Sequence, residues 1–353
     1  MSSSRFLMLV SARVDPALRE GVAAGRRPRP EFHRLEADHG VRLLDWLQLR
    51  GAGEERSATR SIRHAAAAFS RLDGVEAVFS DGEHVGIPLG LLMAAARRQV
   101  PHLVIGHHLT SRFKPALLRL THGPGITRFV LHSALQRDAA VTRLGIRADR
   151  LALLPYHADT DFWRPQGGPG DATLVVAAGR EHRDYATLAA ATGDLPVRVV
   201  VGLGSRHSPA APCLLPANFP ANHDTRFLDY AALRTAYDAA AVVVVPLQAN
   251  DFQAGVTTLL EAMAMGKAVV VSATPGMQEL VEDGVNGLLV PPGSVTALRE
   301  RIQLLLDDPL RRAALGQSAR ETVVARFSLS AYAAGIAAQL SELASGLVRP
   351  RAA

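Results

Sequence analysis

The stretch TTLLEAMAMGKAVVVS at 257–272 places one carboxylate, Glu261, inside an apolar helical pattern that meets a glycine and then an apolar strand. Leu259, Leu260 and Met263 give that helix a buried face. A carboxylate beside such a face is costly to bury unless it is hydrogen-bonded. A vicinal diol such as a ribose offers it two hydroxyl donors; the alternative is a surface glutamate beside Lys267. Upstream, a polar loop after the apolar run 242–245 leads through Gly255 into the helix. A second group ends the apolar run in TLVVAAGREHRDYATL at 173–188, where Gly179, Arg180 and Arg183 precede a helical pattern. Glycine lets a ligand approach the backbone. Two guanidiniums at a helix start suit a phosphate, through forked hydrogen bonds and the helix N-terminus. The alternative is a solvated turn pairing with Glu181 and Asp184. A third strand end carries Thr274-Pro275-Gly276, followed by Glu279 and Glu282.

The N-terminal half offers HLVIGHHLTSRFK at 102–114, with His107 and His108 at a strand end, and FSDGEHVG at 79–86, with Asp81, Glu83 and His84. A neutral imidazole can orient a sugar hydroxyl, and these residues are candidates for reading an acceptor. The alternative is helix capping by Asp81 and a solvated Glu83. Adjacent histidines make a poor metal site without acidic partners at ligand spacing. Asp159-Thr160-Asp161 imitates a metal-binding acidic triplet but lies away from any strand end, so no metal is expected. Gly202-Leu203-Gly204 is not completed to G-x-G-x-x-G, because position 207 is His, and no Walker loop, G-x-S-x-G elbow or cysteine cluster is present.

These residues need strands that end together. Apolar runs predict strands at 6–10, 77–80, 102–105, 129–132 and 151–154, then at 174–178, 197–201, 242–245, 268–271 and 288–290. Helical patterns separate most of them, at 86–98, 134–144, 185–192, 230–239 and 295–306, with a last one at 329–347. Repeated β-then-α order implies parallel sheets, and two series imply two doubly wound α/β domains. Ligands of such sheets sit beyond the C-terminal strand ends. The join is expected near 157–172, which is rich in Gly, Pro and Asp, giving domains at 1–160 and 161–328. Residues 205–224 read as a long loop, and 16–40 resists assignment.

Composition bounds the rest. The 353 residues are 48% hydrophobic and 20% charged, as in an ordinary globular protein, with no apolar run of membrane-spanning length. MSSSRFLMLVSARVD reads as a first strand rather than a signal peptide. The single cysteine, Cys213, excludes an internal disulfide and fits a cytoplasmic protein. Two lysines against 37 arginines, with abundant alanine, resemble the codon bias of a GC-rich bacterium. Residues 1–160 carry 23 basic against 15 acidic side chains, and 161–353 carry 16 against 18. The basic half favours an anionic acceptor or a membrane surface, or serves solubility; scattered charges without aromatics argue against nucleic acid.

From about 129 to 335 the chain resembles family 4 retaining glycosyltransferases of the GT-B fold, the glycosyl transferases group 1. The matching segments are HSALQRDAAVTRLGI, LLPYHADTDFWRP, AAGREHRDYATL, LLEAMAMGKAVVVSATPGMQELVEDGVNGLLVPPG and LLLDDPLRRAALGQSARETVVARFS, in that order. The N-terminal half matches mainly through PHLVIGHH. The resemblance implies two Rossmann-like domains facing a cleft, with the helix at 329–347 crossing back to the first. It implies that Arg180 contacts the donor pyrophosphate, with Arg183 where the family has Lys; that Glu261 holds the ribose; that His107 lies by the transferred sugar; and that Gly179, Gly255 and Gly276 frame the donor. Eight residues before Glu261, the family's first glutamate is replaced by Gln253; a one-residue shift puts Phe252 there and leaves Asp251 as the nearest carboxylate. The family's glycine-rich loop after the first strand is missing from 10–21. The implied activity is retaining transfer from a nucleoside-diphosphate sugar, UDP-sugar first, to a small-molecule acceptor, by a monomer or homodimer without metal or other cofactor. Alternatives are a glycolipid or polysaccharide transferase using the basic segment 110–120 at a membrane, an epimerase, or a non-catalytic nucleotide-sugar binder.

Overall fold

Strands β1 (Phe6–Leu9), β2 (Arg42–Leu44), β3 (Ala77–Ser80), β4 (His102–Ile105), β5 (Arg128–Leu131) and β6 (Leu151–Leu153) form the first parallel sheet, in the order β2-β1-β3-β4-β5-β6. They belong to a computed structural model that describes residues 5–49, 57–111, 114–121, 125–203 and 213–348. The second sheet contains β7 (Leu174–Ala178), β9 (Arg198–Gly202), β11 (His223–Arg226), β12 (Val242–Val245), β13 (Ala268–Ser272) and β14 (Leu288–Val290), in the order β11-β9-β7-β12-β13-β14. A short pair, β8 (Arg183–Asp184) with β10 (Cys213–Leu214), stands beside it. Strands β1, β3, β4, β7, β12 and β13 are buried at every position and mostly apolar, as expected where helices cover both faces. β12, four consecutive valines, is fully buried.

Each predicted strand exists, with ends displaced by a residue at most. Two edge strands were not predicted. β2 has three residues, and β11 reads HDTR, mostly exposed and without an apolar signal. The expected loop at 205–224 therefore ends in strands β10 and β11, and its 204–212 part, Gly204 and position 207 included, lies outside the described residues. The unassigned 16–40 holds two helices, Pro16–Ala23 and Glu31–His39, the second stopped by Gly40 at φ 62°. Among the described residues no helix is long and apolar enough to cross a membrane.

The chain divides into two compact units: Met1–Ala23, Arg29–Pro155 and Ser330–Ala353 in the first, Ala24–Pro28 and Tyr156–Leu329 in the second. Part of the expected join is core rather than linker. Trp163 and Phe162 are buried edge to face in the second unit, and Asp159 accepts from the Phe162 N–H. Aromatic packing there overrides the Gly and Pro content of the residues that follow. The last helix, Leu329–Val348, places Tyr332, Ile336 and Leu340 in the core of the first unit, with Phe6, Leu35 and Phe79.

Candidate active site

The strand order of the second, all-parallel sheet reverses between β7 and β12, as is characteristic of a dinucleotide-binding fold, and the crevice at such a reversal is where ligands of open α/β sheets bind. After β7 the chain turns at Gly179, whose φ of 94° requires glycine. The Gly179 carbonyl accepts from Tyr185 Oη at 2.6 Å. Asp184 caps the next helix, Tyr185–Thr192, through Thr187 N at 3.0 Å. Arg180 is half-buried, and its guanidinium makes no hydrogen bond or ion pair with the described residues; its Nε is buried without a partner.

Arg183 is different, and here the expectation is corrected. It is only 2% exposed, and its fork is spent inside the protein: Nε on Ala178 O, Nη1 on Glu181 O and Nη2 on Thr258 Oγ1, each at 2.9 Å. It is neither a second phosphate fork nor a solvated turn paired with acidic neighbours. Its guanidinium fills the space that a Cβ at Gly179 or Gly255 would take.

After β12 a loop reaches Gly255, at φ 84°, which starts the helix Val256–Ala264 with no side-chain cap, and the Val256 N–H donates to Gln253 O at 3.3 Å. Glu261 is half-buried on that helix, and its carboxylate has no hydrogen-bond partner among the described residues. Burial raises its pKa to about 8, against the pull of Arg183. Lys267 is not its partner, because its Nζ donates to Asp238 O at 2.6 Å.

Of the three positions competing for the family's first glutamate, Asp251 is exposed and Phe252 turns its ring edge-on to His182 at 5.0 Å. Gln253 faces Gly276: Nε2 points to Gly276 O at 3.4 Å, and Oε1 is buried with no partner. A Cβ at Gly276 would lie 2.7 Å from Phe252 O and 2.9 Å from Gln253 Cγ, so only glycine fits there. Thr274 Oγ1 is likewise buried and unpartnered. The two orphan oxygens lie on the loop after β12 and the turn after β13, adjacent strands.

In the first unit the sheet reverses between β1 and β3, and the residues after those strands meet. Asp81 accepts from Ser11 N, and its Oδ1 accepts from Ser11 Oγ at 2.7 Å; His84 Nε2 contacts the same hydroxyl at 2.7 Å. Burial pushes the Asp81 carboxyl to about 7, although Ser11 lowers it. Asp81 is therefore not a helix cap. Glu83 is corrected too. It is 3% exposed and accepts from His107 N at 3.0 Å, His108 N at 2.8 Å and Lys114 Nζ at 2.6 Å. Burial alone would raise its pKa, but the bond and charge of Lys114 outweigh that and hold it at about 2. Saturated in this way, Glu83 shapes the turn and offers an acceptor nothing; nor is it a solvated side chain. Half-buried His107 contacts Asp81 O through Nε2 at 3.0 Å, and Gln136 Nε2 donates to His107 O at 2.9 Å. His84 and His108 are exposed. In the segment 110–120, residues 112–113 lie outside the described ones, and Lys114 is tied to Glu83 rather than presented to a surface.

Sequence reasoning missed Ser11, Lys114 and Thr258, and named Thr274 only as part of a strand-end turn. Thr258 was findable, since it stands one turn before Glu261 on the same helix face. Ser11 and Lys114 act across tens of residues and left no local pattern. Among the described residues no group of three or more His, Cys, Asp or Glu side chains is placed to hold a metal.

Two doubly wound units of this kind define the GT-B glycosyltransferase fold. The similarity to HepE from Anabaena, solved with UDP-glucose, supports that fold: TM-score 0.66, 18% identity, covering 96% of this chain and 99% of that one. Residues 182–322 match the family model of the glycosyl transferases group 1. A D-inositol 3-phosphate glycosyltransferase of Catenulispora acidiphila is 29% identical over 215 residues, 53% of this chain and 51% of the relative. The alpha-D-kanosaminyltransferase of Streptomyces kanamyceticus is 30% identical over 107 residues, 30% of this chain and 27% of the relative. The matched region thus spans about half, or less, of these relatives' length.

Proposed function

We propose that this chain is a retaining glycosyltransferase moving a sugar from a nucleoside-diphosphate sugar, UDP-sugar first, to a small-molecule acceptor. The observation that carries the proposal is the unpartnered carboxylate of Glu261, on the helix after β12 of a sheet whose β7 end carries the unpartnered Arg180. A diol and a diphosphate together satisfy both, and a nucleoside diphosphate contains both. HepE was solved with UDP-glucose, which favours a UDP-sugar as first probe.

In this proposal Arg180 and the first-turn N–H groups of Val256–Ala264 meet the diphosphate and its developing charge without a metal. Glu261 accepts from the ribose hydroxyls, and Gln253 Oε1 and Thr274 Oγ1 take sugar hydroxyls. The departing phosphate deprotonates the acceptor on the same face, so no protein nucleophile is needed. The first unit supplies the acceptor side through Asp81, His84 and His108, with His107 toward the transferred sugar. The small-molecule class of acceptor draws support from a relative named for an inositol phosphate.

A thermal-shift screen with nucleotide sugars and no acceptor tests this. Stabilisation by one donor family, with slow release of the nucleoside diphosphate, supports it. No stabilisation by any nucleotide sugar overturns it, and an epimerised donor assigns an epimerase instead.

A further inference from the structure

We propose that Arg183 is a positioning residue of the donor site, which clamps the turn at Gly179 to the first turns of the helix carrying Glu261 and supplies the buried positive charge that Glu261 faces. The inference rests on the donor-site reading above. Arg183 makes three bonds, all to neutral acceptors: Ala178 O and Glu181 O on one side of the site, Thr258 Oγ1 on the other. It makes no ion pair among the described residues, although a buried charge is costly without a counter-charge. Its guanidinium lies directly beneath both ligand-facing glycines, 3.0 Å from where a Gly255 Cβ would stand and closer still at Gly179. The two backbone turns expected to approach a ligand are thus held against one planar group.

A lysine cannot copy this arrangement, because one ammonium does not span three divergent acceptors. The substitution also changes what meets the diphosphate. Where the family has a lysine for the phosphates, this chain has a cation sealed behind the backbone, so Arg180 alone reaches the ligand from this turn. The titratable groups that sense Arg183 are Tyr185, Tyr237, Cys213 and Glu261. Burial holds both phenols and the thiol above their ordinary values, so Glu261 is the one of the four that titrates between about pH 5 and 9.

The test has a ligand-free arm and a ligand arm. Unfolding is followed against pH for the wild type, Arg183→Gln, Arg183→Lys and Thr258→Val, each with and without Glu261→Gln; the paired difference gives the Glu261 midpoint. Binding of UDP is measured by calorimetry on the same proteins. Arg183→Gln is expected to raise the midpoint by about one pH unit and to weaken UDP about tenfold or more. Arg183→Lys and Thr258→Val keep the charge, so they weaken UDP while moving the midpoint less; they carry the comparison if Arg183→Gln does not fold. An unchanged midpoint in Arg183→Gln, or UDP binding within twofold of wild type in the folded variants, overturns the proposal. Wild-type protein that binds neither UDP, ADP nor GDP overturns the donor-site reading instead, while the ligand-free arm still decides whether Arg183 sets the charge of Glu261.

Discussion

Thr258 Oγ1 accepts a hydrogen bond from Arg183 Nη2 at 2.9 Å, and through it the turn after β7 is joined to the helix that carries Glu261. The two guanidiniums of that turn are thereby separated in role. Arg183 faces inward and is fully engaged; Arg180, three residues earlier, has no partner among the described residues. The difference sets up the first prediction. Arg180→Ala removes no bond that holds the fold, so the melting temperature of the free protein should stay within about a degree or two. Binding of a nucleoside diphosphate should weaken by about 2 kcal/mol or more, the scale of a charge-assisted bond to phosphate. Calorimetry on the folded variant checks this, and unchanged affinity removes Arg180 from the phosphate.

Glu261 predicts a pH dependence with a definite sign. Its folded pKa, about 8, lies above the ordinary 4.5. A raised folded pKa means that the native state holds the proton more tightly than the unfolded chain. The resulting stability is fully present below about pH 4.5 and is lost as pH rises to about 8. Glu261→Gln should therefore flatten the decline of unfolding temperature across that interval. Two ribose hydroxyls donating to the carboxylate favour its charged form, so nucleoside-diphosphate affinity should strengthen as pH rises from 7 to 9 in the wild type and not in Glu261→Gln. The opposite slope would remove the ribose from Glu261.

Glu83 predicts the reverse behaviour in the first unit. Its folded pKa, held at about 2, lies below the ordinary 4.5. That stability is present above about pH 4.5 and is lost as pH falls to about 2. Lys114→Met leaves Glu83 with its two backbone donors but no cation. Removing one partner of a buried pair costs about 3–5 kcal/mol, and the partial exposure of Lys114 lowers that to about 2–3 kcal/mol. The measurement is denaturant unfolding at pH 7; a loss under about 0.5 kcal/mol would mean that Glu83 is held by the His107 and His108 amides alone.

These contrasts show which parts of the molecule were legible in the sequence. The ten predicted strands are recovered because a strand covered on both faces must be apolar throughout, a signal contained within five residues. Strand β11 lacks it, since HDTR is mostly exposed, and β2 is too short to show it, with only Leu43 and Leu44 buried. Gly179, Gly255 and Gly276 were legible as strand-end glycines, and their geometry gives each a separate reason. What the sequence could not supply was direction. Arg180 and Arg183 are the same residue type three positions apart, and only tertiary contacts turn one outward and the other inward. Asp81 and Glu83 are two positions apart, and their carboxyls diverge to about 7 and about 2 because Lys114 reaches only one of them.

Gln253, one of the positions where the resemblance implies an acid, yields the last prediction. Its Nε2 points at the Gly276 carbonyl at 3.4 Å, and its Oε1 is buried without a partner. That position faces a carbonyl on one side and open hydrogen-bonding capacity on the other, which suits an amide: one donor for the carbonyl, one acceptor for a ligand hydroxyl. A carboxylate would set a charged oxygen against Gly276 O, where the amide now places a donor. Gln253→Glu is therefore expected to lower donor turnover about tenfold at pH 7 rather than to restore a missing acid, and to recover part of it at lower pH as the new carboxyl protonates. Affinity for the nucleoside diphosphate, which the proposed function assigns to Arg180 and Glu261, should change little. Turnover and binding measured side by side at pH 5.5 and 7 decide it: a faster Gln253→Glu enzyme would mean that the site wants negative charge there, and that Gly276 O yields to it.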